Sequence, residues 1–447
     1  MIDNNKLKQR DGFTDKLGFT LASIGSAVGM GNIWRFPLMV SMWGGMSFLL
    51  VYVFFVFIIS KTGLIEEFAL GRLTNSGPVG AFSYAAKDKD KENLGKKLGF
   101  IPVLGSLALA IGYTCVMGWI FKYVFLAING DLSSFGSDLD LIGGTFANTA
   151  SAFANNFWLI IAIISSMLIM SLGIAKGIEK ANKILMPILF ILLLILAIYV
   201  GLQKNSIDAY KYIFALNFSK LRDIRLWIFA FGQAFFSLSI GGNGSVIYGS
   251  YLPKDEDIES SAANVAIFDT LSALLAALVI IPAIAVSGGK LSEGGPGLMF
   301  IYLVNVFNQM AFGRIVMIVF YLAVLFAGIS SIINLYEAPV AYLQEEFSFA
   351  RVKASVTIHL IGLCSAILIQ GIVGQWMDAV CIYVAPFGAF LAGLMFYYFL
   401  DKDKALSEVN RGRKKPIGSW FYPLGKFIYC PLAIIAMILG IIFGGIG

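Results

Sequence analysis

Charged side chains are scarce in this sequence: only 13% of its 447 residues are Asp, Glu, Lys or Arg, whereas 58% are hydrophobic. A water-soluble fold needs a polar exterior, and this chain has too few charges to provide one. Apolar runs long enough to cross about 30 Å of hydrocarbon recur along it, for example at 184–201 and 432–446. The sequence therefore predicts an integral membrane protein whose outer surface faces the lipid bilayer.

Histidine and cysteine are nearly absent as well. His359 is the only histidine, so the chain offers no serine–histidine pair and no His/Cys/Glu metal cluster. The four cysteines all fall in apolar stretches, which favours small buried residues over disulfides. No glycine-rich phosphate-binding loop is present, and a net charge of +6 gives no reason to expect a nucleic-acid partner. These absences argue against an enzyme.

The apolar runs predict an all-α integral membrane protein with eleven transmembrane helices in a single transport domain, residues 1–447. Residues 1–15 are polar and charged and show no cleavable signal-peptide pattern, so we expect the first apolar run to be retained. The predicted spans are 16–39, 43–72, 97–128, 157–174, 180–202, 224–251, 259–287, 310–344, 352–371, 375–400 and 424–446.

Lysine and arginine are distributed unevenly between the loops. They cluster in residues 1–16, after span 2 at 87–97 and after span 10 at 411–415, whereas 129–156 has none. Because positively charged loops tend to stay in the cytoplasm, we expect a multi-pass protein of the cell membrane with a cytoplasmic N-terminus. Its C-terminus would be extracellular or periplasmic. The loop 204–225 disagrees, since it would lie outside and yet holds several positive charges.

Two spans contain glycine clusters at mid-membrane depth. Span 1 has three glycines within 25–31, followed by Asn32, and span 6 has three within 241–244. Each glycine weakens a helix by about 1 kcal/mol relative to alanine, and unwound backbone inside a bilayer must line a cavity or face protein. Close helix packing is the alternative explanation. Spans 1 and 6 begin two five-span sets, 16–202 and 224–400, and interrupted helices in matching positions point to a transporter site near the midplane.

These segments resemble the neurotransmitter:sodium symporter family, in particular its bacterial amino-acid branch with eleven spans. The similarity covers nearly the whole chain. It rests on GSAVGMGN at 25–32 and WRFP at 34–37, GQAFFSLS at 232–239, AGISS at 327–331, and EVNRG at 408–412. The resemblance implies two inverted five-helix repeats, broken helices 1 and 6, a peripheral eleventh helix, and inward symport of one substrate with two sodium ions.

The resemblance also implies two sodium sites built mainly from uncharged oxygens, which suit a hard cation. The substrate carboxylate would complete the first site. Alone, each serine of the second site would rather indicate hydrogen bonding between helices. The first site would take the Ala27 carbonyl, the side chains of Asn32 and Ser237, and a residue of span 7, for which Asp269 is the candidate. The second would take the carbonyls of Gly25, Val28 and Ala327 and the hydroxyls of Ser330 and Ser331.

Asp269 lies inside an apolar run of span 7, where a carboxylate is costly and therefore indicates function. Family members that need chloride have neutral residues here, and Tyr52, Gln233 and Ser272 match the polar neighbours of their anion site. We therefore expect Asp269 to supply the negative charge, so that chloride is not required. Two alternatives stay open: Asp269 lies beside the sodium ligands without being one, or it is a protonated, hydrogen-bonded core residue.

The substrate site implied by the resemblance lies between the two broken helices. Gly29 stands where monoamine transporters have an aspartate, which favours an α-amino acid that brings its own carboxylate. That carboxylate would meet the amides near Met30 and Gly31 and the Tyr113 hydroxyl. The ammonium would meet carbonyls at the negative end of a half-helix, those of Ala27, Phe236, Ser237 and Ser239.

The pocket for the substrate side chain would be formed by Leu109, Tyr113, Phe236, Ser239, Gly242, Ser331 and Leu335. Glycine at position 242 leaves room where some relatives have a bulky residue. The pocket therefore predicts a large apolar or aromatic amino acid, such as tyrosine, tryptophan, phenylalanine or leucine. Asn243 occupies a place where the family pattern has glycine, and it could reach the ligand or cap the broken helix.

Two charge pairs are candidate gates, because an exposed ion pair contributes only about 0–1 kcal/mol and breaks readily. Outside, Arg35 could pair with Asp378 above the site. Inside, Arg10 could pair with Glu345, near Tyr251. Interfacial charges without a gating role are the alternative for the inner pair.

The whole pattern predicts a sodium-coupled amino-acid symporter that works by alternating access. A proton-coupled carrier or a non-transporting sensor of the same fold is the alternative, and the intact sodium motifs disfavour both. The sequence does not fix the amino acid, the sodium stoichiometry, proton counter-transport or the oligomeric state.

Overall fold

The computed structural model describes residues 11–204, 206–240, 244–286 and 295–446. These residues are almost entirely helical, and no strand occurs among them. In a bilayer every backbone N–H and C=O must be paired within the protein, and a helix does so within one segment. The predicted all-α class is confirmed. Within the described ranges, seven helices are long and apolar enough to cross a membrane.

The observed helices follow the predicted spans closely. The long helices are Met46–Thr74, Glu92–Asn129, Ile174–Gly201, Ile258–Val286, Gly313–Phe347, Arg351–Phe399 and Phe421–Phe443. Shorter apolar helices in predicted spans are Asn156–Ser171 and Ile224–Ser237, whereas Leu298–Asn308 lies between predicted spans 7 and 8 and was not predicted. Connecting helices that the sequence did not predict are Pro78–Lys87, Leu139–Ala150, Ser206–Phe214 and Lys402–Asn410.

Span 5 shows the largest difference from prediction. Its helix begins at Ile174 rather than at residue 180. Span 4 ends at Ser171, and Gly173 has a φ of 91°, a left-handed conformation that suits glycine. One glycine therefore ends span 4, and the chain re-enters a helix at once.

Predicted spans 9 and 10 form one helical path, Arg351–Phe399, of 49 residues. At a rise of 1.5 Å per residue it would extend about 74 Å, more than twice the roughly 30 Å of a hydrocarbon core. The path is broken at Gln370–Ile372, a tight turn in which Ile372 has φ −131° and ψ 21°. Two spans joined by a short turn fit these bounds, as the sequence predicted.

Spans 1 and 6 are interrupted, as their glycine clusters predicted. The half-helices are Lys16–Ala27 and 31–42 in span 1, and Ile224–Ser237 and Gly244–Gly249 in span 6. Val28 is extended, with φ −72° and ψ 107°, and Ser239 is left-handed, with φ 53°. Gly242 and Asn243 lie outside the described residues. Both breaks therefore free backbone groups at mid-span.

Burial separates central helices from peripheral ones. Two-thirds (67%) of the apolar window is buried in span 3, Glu92–Asn129, and in span 8, Gly313–Phe347. Only 28% is buried in spans 5 and 11, Ile174–Gly201 and Phe421–Phe443. Spans 3 and 8 pack along each other, and both contribute to the cavity described below.

Gly71 allows span 2 to pack closely against the second half of span 6. A Cβ at this position would lie 1.9 Å from the Val246 carbonyl oxygen and 2.7 Å from the Ser250 nitrogen. We therefore expect Gly71→Ala to push the two backbones apart and to lower the melting temperature of the detergent-purified protein. Size-exclusion chromatography after heating measures this.

The matched control is Gly143→Ala, in the connecting helix Leu139–Ala150, where a Cβ would meet nothing within 4 Å. This variant should melt at the wild-type temperature or higher, because alanine favours a helix by about 1 kcal/mol over glycine. Equal melting of both variants would contradict the tight contact at Gly71.

Candidate functional site

A cavity lies between the breaks of spans 1 and 6. Its free volume is about 90 Å³. Nine predicted substrate residues line it: Ala27, Gly31, Leu109, Tyr113, Phe236, Ser237, Ser239, Ser331 and Leu335. Of the other two, Met30 contributes its backbone amide to the same place and Gly242 lies outside the described residues. Spans 10 and 11 also contribute wall residues, among them Pro386 and Gly440, which the sequence did not predict.

One end of the cavity is suited to a carboxylate. The Met30 N–H donates to the Tyr113 hydroxyl oxygen at 3.1 Å, so backbone amide and phenol meet at the break of span 1. A Cβ at Gly29 would lie 2.7 Å from the Tyr113 hydroxyl and 3.0 Å from Ser331 Oγ. A side chain at position 29 would therefore collide with both of these residues, and glycine lets Tyr113 and Ser331 approach the break of span 1.

Asp269 is buried where spans 1, 2, 6 and 7 meet. Its carboxylate accepts hydrogen bonds from Asn32 Nδ2 at 2.7 Å, Ser237 Oγ at 2.7 Å and the Tyr52 hydroxyl at 3.4 Å. Ser272 Oγ donates to the Asp269 backbone carbonyl at 2.8 Å. Two predicted residues of the first sodium site, Asn32 and Ser237, are thus in direct contact with this acid.

Gln233 differs from the other predicted neighbours of Asp269. Both of its amide atoms are buried without a hydrogen-bond partner among the described residues. It lies in span 6, one turn before Ser237, but it makes no bond to Asp269. Of the three polar residues that match the anion site, Tyr52 and Ser272 therefore form hydrogen bonds with Asp269, and Gln233 does not.

The five residues of the predicted second sodium site also come together. Ser331 Oγ lies 3.0 Å from the carbonyl oxygens of Val28 and Ala327 and 3.5 Å from that of Gly25. Ser330 Oγ donates to the Ala327 carbonyl at 2.8 Å. The break of span 1 and the middle of span 8 therefore present a group of uncharged oxygens to one another.

Asn182 of span 5 is a polar neighbour of this group that the sequence analysis missed. Its Nδ2 donates to the Ile178 carbonyl at 2.9 Å, while its Oδ1 is buried without a partner in the described part of the chain. A Cβ at Gly25 would lie 2.2 Å from that Oδ1. An amide inside the apolar span 5 is the signal that could have found it.

A buried ion pair joins spans 8 and 9 near the N-terminal segment. Arg351 contacts both carboxylate oxygens of Glu337, at 2.6 and 2.7 Å, and the Tyr251 hydroxyl donates to Glu337 at 2.7 Å. Phe13 packs edge-on against Tyr251, with ring centroids 6.4 Å apart. The sequence predicted Tyr251 here, but missed Glu337 and Arg351.

The predicted inner gate pair, Arg10 with Glu345, stays a prediction. Arg10 lies outside the described residues, and Glu345 accepts hydrogen bonds from Ser76 Oγ at 2.7 Å and from the Gly77 N–H at 3.0 Å.

At the other end, Arg35 and Asp378 form no ion pair among the described residues, and Arg35 Nε is buried without a partner. Cys381 and Ile382, about one turn beyond Asp378, line the cavity. Span 10 therefore contributes to the cavity wall about one turn beyond Asp378.

The family described as the sodium:neurotransmitter symporter family matches residues 10–136 and 148–410. The chain belongs to this family. Its resemblance to the family, on which the site predictions rest, is thereby confirmed. Members of the sodium:neurotransmitter symporter family are transporters, not enzymes.

Individual relatives support this membership. The chain is 31% identical to YhdH of Bacillus subtilis, described as an uncharacterized sodium-dependent transporter, over 96% of this chain and 97% of the relative. It is 24% identical to the rat sodium-dependent neutral amino acid transporter SLC6A17, over 64% of this chain and 42% of the relative. The crystal structure of MhsT in complex with L-phenylalanine superposes with a TM-score of 0.82 at 32% identity, covering 96% of this chain and 99% of that one.

Breaking the Glu337–Arg351 pair should be strongly destabilising, because the Glu337 carboxylate is fully buried. Removing one partner of a buried ion pair leaves the other charge uncompensated, at a cost of about 3–5 kcal/mol. We therefore expect Glu337→Ala to lower the melting temperature markedly in detergent.

Glu346→Ala provides the matched control, because Glu346 pairs with Lys96 at the exposed surface. Loss of an exposed pair costs only about 0–1 kcal/mol. If Glu337→Ala melted no lower than Glu346→Ala, the buried pair would not have the role assigned to it.

Proposed function

We propose that this protein imports a large apolar or aromatic α-amino acid together with two sodium ions, without a need for chloride. It would do so as an eleven-span carrier of two inverted five-helix repeats, with a cytoplasmic N-terminus. Sodium dependence follows from the family. The amino-acid substrate is supported by the neutral amino acid transporter among the relatives and by the phenylalanine complex of the structural neighbour.

The single observation that carries the proposal is the contact of Asp269 with Asn32 and Ser237. A carboxylate buried at mid-membrane is expensive unless a cation or donors compensate it. A sodium ion beside Asp269 would supply that compensation, and the fixed negative charge would leave no need for an anion. Asp269 and the substrate's own carboxylate would then both contribute negative charge that neutralises the cation.

The narrow space around Gly29 supports an α-amino acid as the substrate. The Met30 amide and the Tyr113 hydroxyl meet at 3.1 Å, and both could turn to a carboxylate placed between them. Leu109, Phe236 and Leu335 provide apolar walls for the side chain. The cavity is therefore polar where the shared α-groups of amino acids would bind and largely apolar beyond it.

The oxygen atoms of the predicted second sodium site would couple sodium binding to the movement of spans 1 and 8. Gly25 and Val28 belong to the break of span 1, whereas Ser330 and Ser331 belong to span 8. A cation held between them would favour the conformation in which the two spans are close. A ligand shifts an equilibrium by its difference in affinity between two conformations, and this arrangement provides such a difference.

Uptake into proteoliposomes tests the proposal. Radiolabelled leucine, phenylalanine and tyrosine should accumulate with an inward sodium gradient but not with choline, and equally well in chloride and in gluconate. Asp269→Asn removes the fixed charge while keeping the size of the side chain. We expect it to reduce uptake in gluconate at least tenfold, because the cation would lose its closest anionic partner.

Asp208→Asn is the control, since Asp208 lies at an exposed surface and pairs with the exposed Lys211. It should transport as the wild type does. Chloride-dependent uptake by the wild type, or full activity of Asp269→Asn, would refute the role of Asp269. Absence of sodium-dependent uptake of any amino acid would refute the proposed function as a whole.

A further inference from the structure

Asn334 is a polar side chain in the cavity that neither the predicted sodium sites nor the predicted substrate contacts use. It belongs to span 8, one turn beyond Ser331, and it lines the cavity beside Leu335. Only 2% of its surface is exposed, and its Nδ2 has no hydrogen-bond partner in the described residues. Two other polar residues of the cavity wall, Ser239 and Ser331, donate to backbone carbonyls.

Two neighbours shape the surroundings of this amide. The Tyr248 hydroxyl lies beside Asn334, yet it too is buried and lacks a partner with hydrogen-bond geometry. Gly244 begins the second half of span 6, and a Cβ there would lie 2.3 Å from Asn334 Oδ1. The glycine therefore gives the amide access to the cavity, and amide and phenol together form a buried polar corner.

A buried donor without an acceptor is costly, so such a corner is suited to a molecule that supplies an oxygen. The apolar walls Leu109, Phe236 and Leu335 enclose the space between this corner and the end where Met30 and Tyr113 meet. A substrate held there by its α-groups would direct its side chain along these walls. The distal end of that side chain would then reach Asn334.

We propose that Asn334 determines specificity by hydrogen bonding to a hydroxyl group at the far end of the substrate side chain. The preferred substrate is accordingly tyrosine rather than phenylalanine. This inference rests on the proposed function, since it concerns the same cavity. It adds a residue and a substrate class that the family membership does not supply.

The candidate substrates differ in the hydrogen bonds that their side chains can form. The oxygen of a phenol can accept a hydrogen bond from Asn334 Nδ2. Phenylalanine and leucine offer no acceptor, and the indole N–H of tryptophan is only a donor. A site built to bond a hydroxyl discriminates strongly against the analogue that lacks it, because its own polar groups are then left unpaired.

Sodium-dependent binding of radiolabelled tyrosine and phenylalanine to the purified full-length protein tests the inference. The readout is the ratio of the two Kd values within one protein, which is insensitive to the amount of folded material. We expect wild type to favour tyrosine at least tenfold, the factor that corresponds to about one good hydrogen bond. Unlabelled 4-methylphenylalanine, which fills the same position with an apolar group, should compete no better than phenylalanine.

In Asn334→Leu the ratio should fall to about one, because the amide is replaced by an apolar side chain of similar size. Asn155→Leu is the matched control. Asn155 is equally buried and its amide is unpartnered within the described ranges, but it lies beside Gly118 and Leu159, outside the cavity lining. It should keep the wild-type ratio. Asn334→Ala serves as a second variant if Asn334→Leu does not fold.

Two outcomes would overturn the inference: a wild-type ratio near one, or a tyrosine preference that survives in both Asn334 variants. The second would mean that ordered water satisfies the amide. In either case binding of phenylalanine would leave the proposed function intact. If neither amino acid bound in sodium, the proposed function itself would fail.

Discussion

The interruption of two helices inside the membrane is the feature on which the rest of this structure depends. A continuous span pairs its own backbone groups, and a bilayer offers no water to replace lost pairs. Each break therefore has to be surrounded by protein that satisfies or uses the freed carbonyls and amides. In span 1 this is visible at Met30, whose amide meets Tyr113, and at Val28, whose carbonyl meets Ser331. Groups that would destabilise an ordinary span become the lining of a site.

Buried charge in this molecule follows the same logic of compensation. Asp269 is held by three donors from three different spans, and Glu337 is held by Arg351 and Tyr251. The two acids differ in what surrounds them. Glu337 already has a cation, so its negative charge is balanced within the protein, whereas Asp269 meets only neutral donors. Glu337 is therefore suited to holding helices together, and Asp269 is suited to binding a cation.

Much of the architecture could be predicted because lipid imposes a simple rule on sequence. Long apolar runs located the spans, and glycine clusters located the breaks of spans 1 and 6. Asp269 was predicted because an acid is costly inside an apolar run. Glu337 is also an acid inside an apolar run, so the same signal was present for it and was missed. Asn182 and Asn334 were not predicted for a different reason. Burying a lone amide in a span costs less free energy than burying a charge, and the sequence does not distinguish such an amide from an ordinary helix contact.

Other features depend on conformation or on short-range geometry and leave little trace in sequence. Arg35 and Asp378 are close enough in the topology to pair, but whether they do depends on how span 10 is positioned over the cavity. The early start of span 5 was missed because one left-handed residue, Gly173, replaces a loop. Composition and periodicity report which segments are buried, whereas they do not report single dihedral angles or the state of a gate.

Span 8 links the elements of the site more directly than any other segment. Within residues 327–337 it carries the hydroxyls of Ser330 and Ser331, the pocket residues Asn334 and Leu335, and the carboxylate of Glu337. These residues belong to one unbroken helix, so they extend over only about 15 Å. A rigid segment of that length cannot move its ion oxygens without also moving its pocket wall and its ion pair. The oxygens proposed to bind sodium, the proposed substrate contacts and the buried Glu337–Arg351 pair are therefore linked through a single helix. Their coupling requires no contribution from other segments.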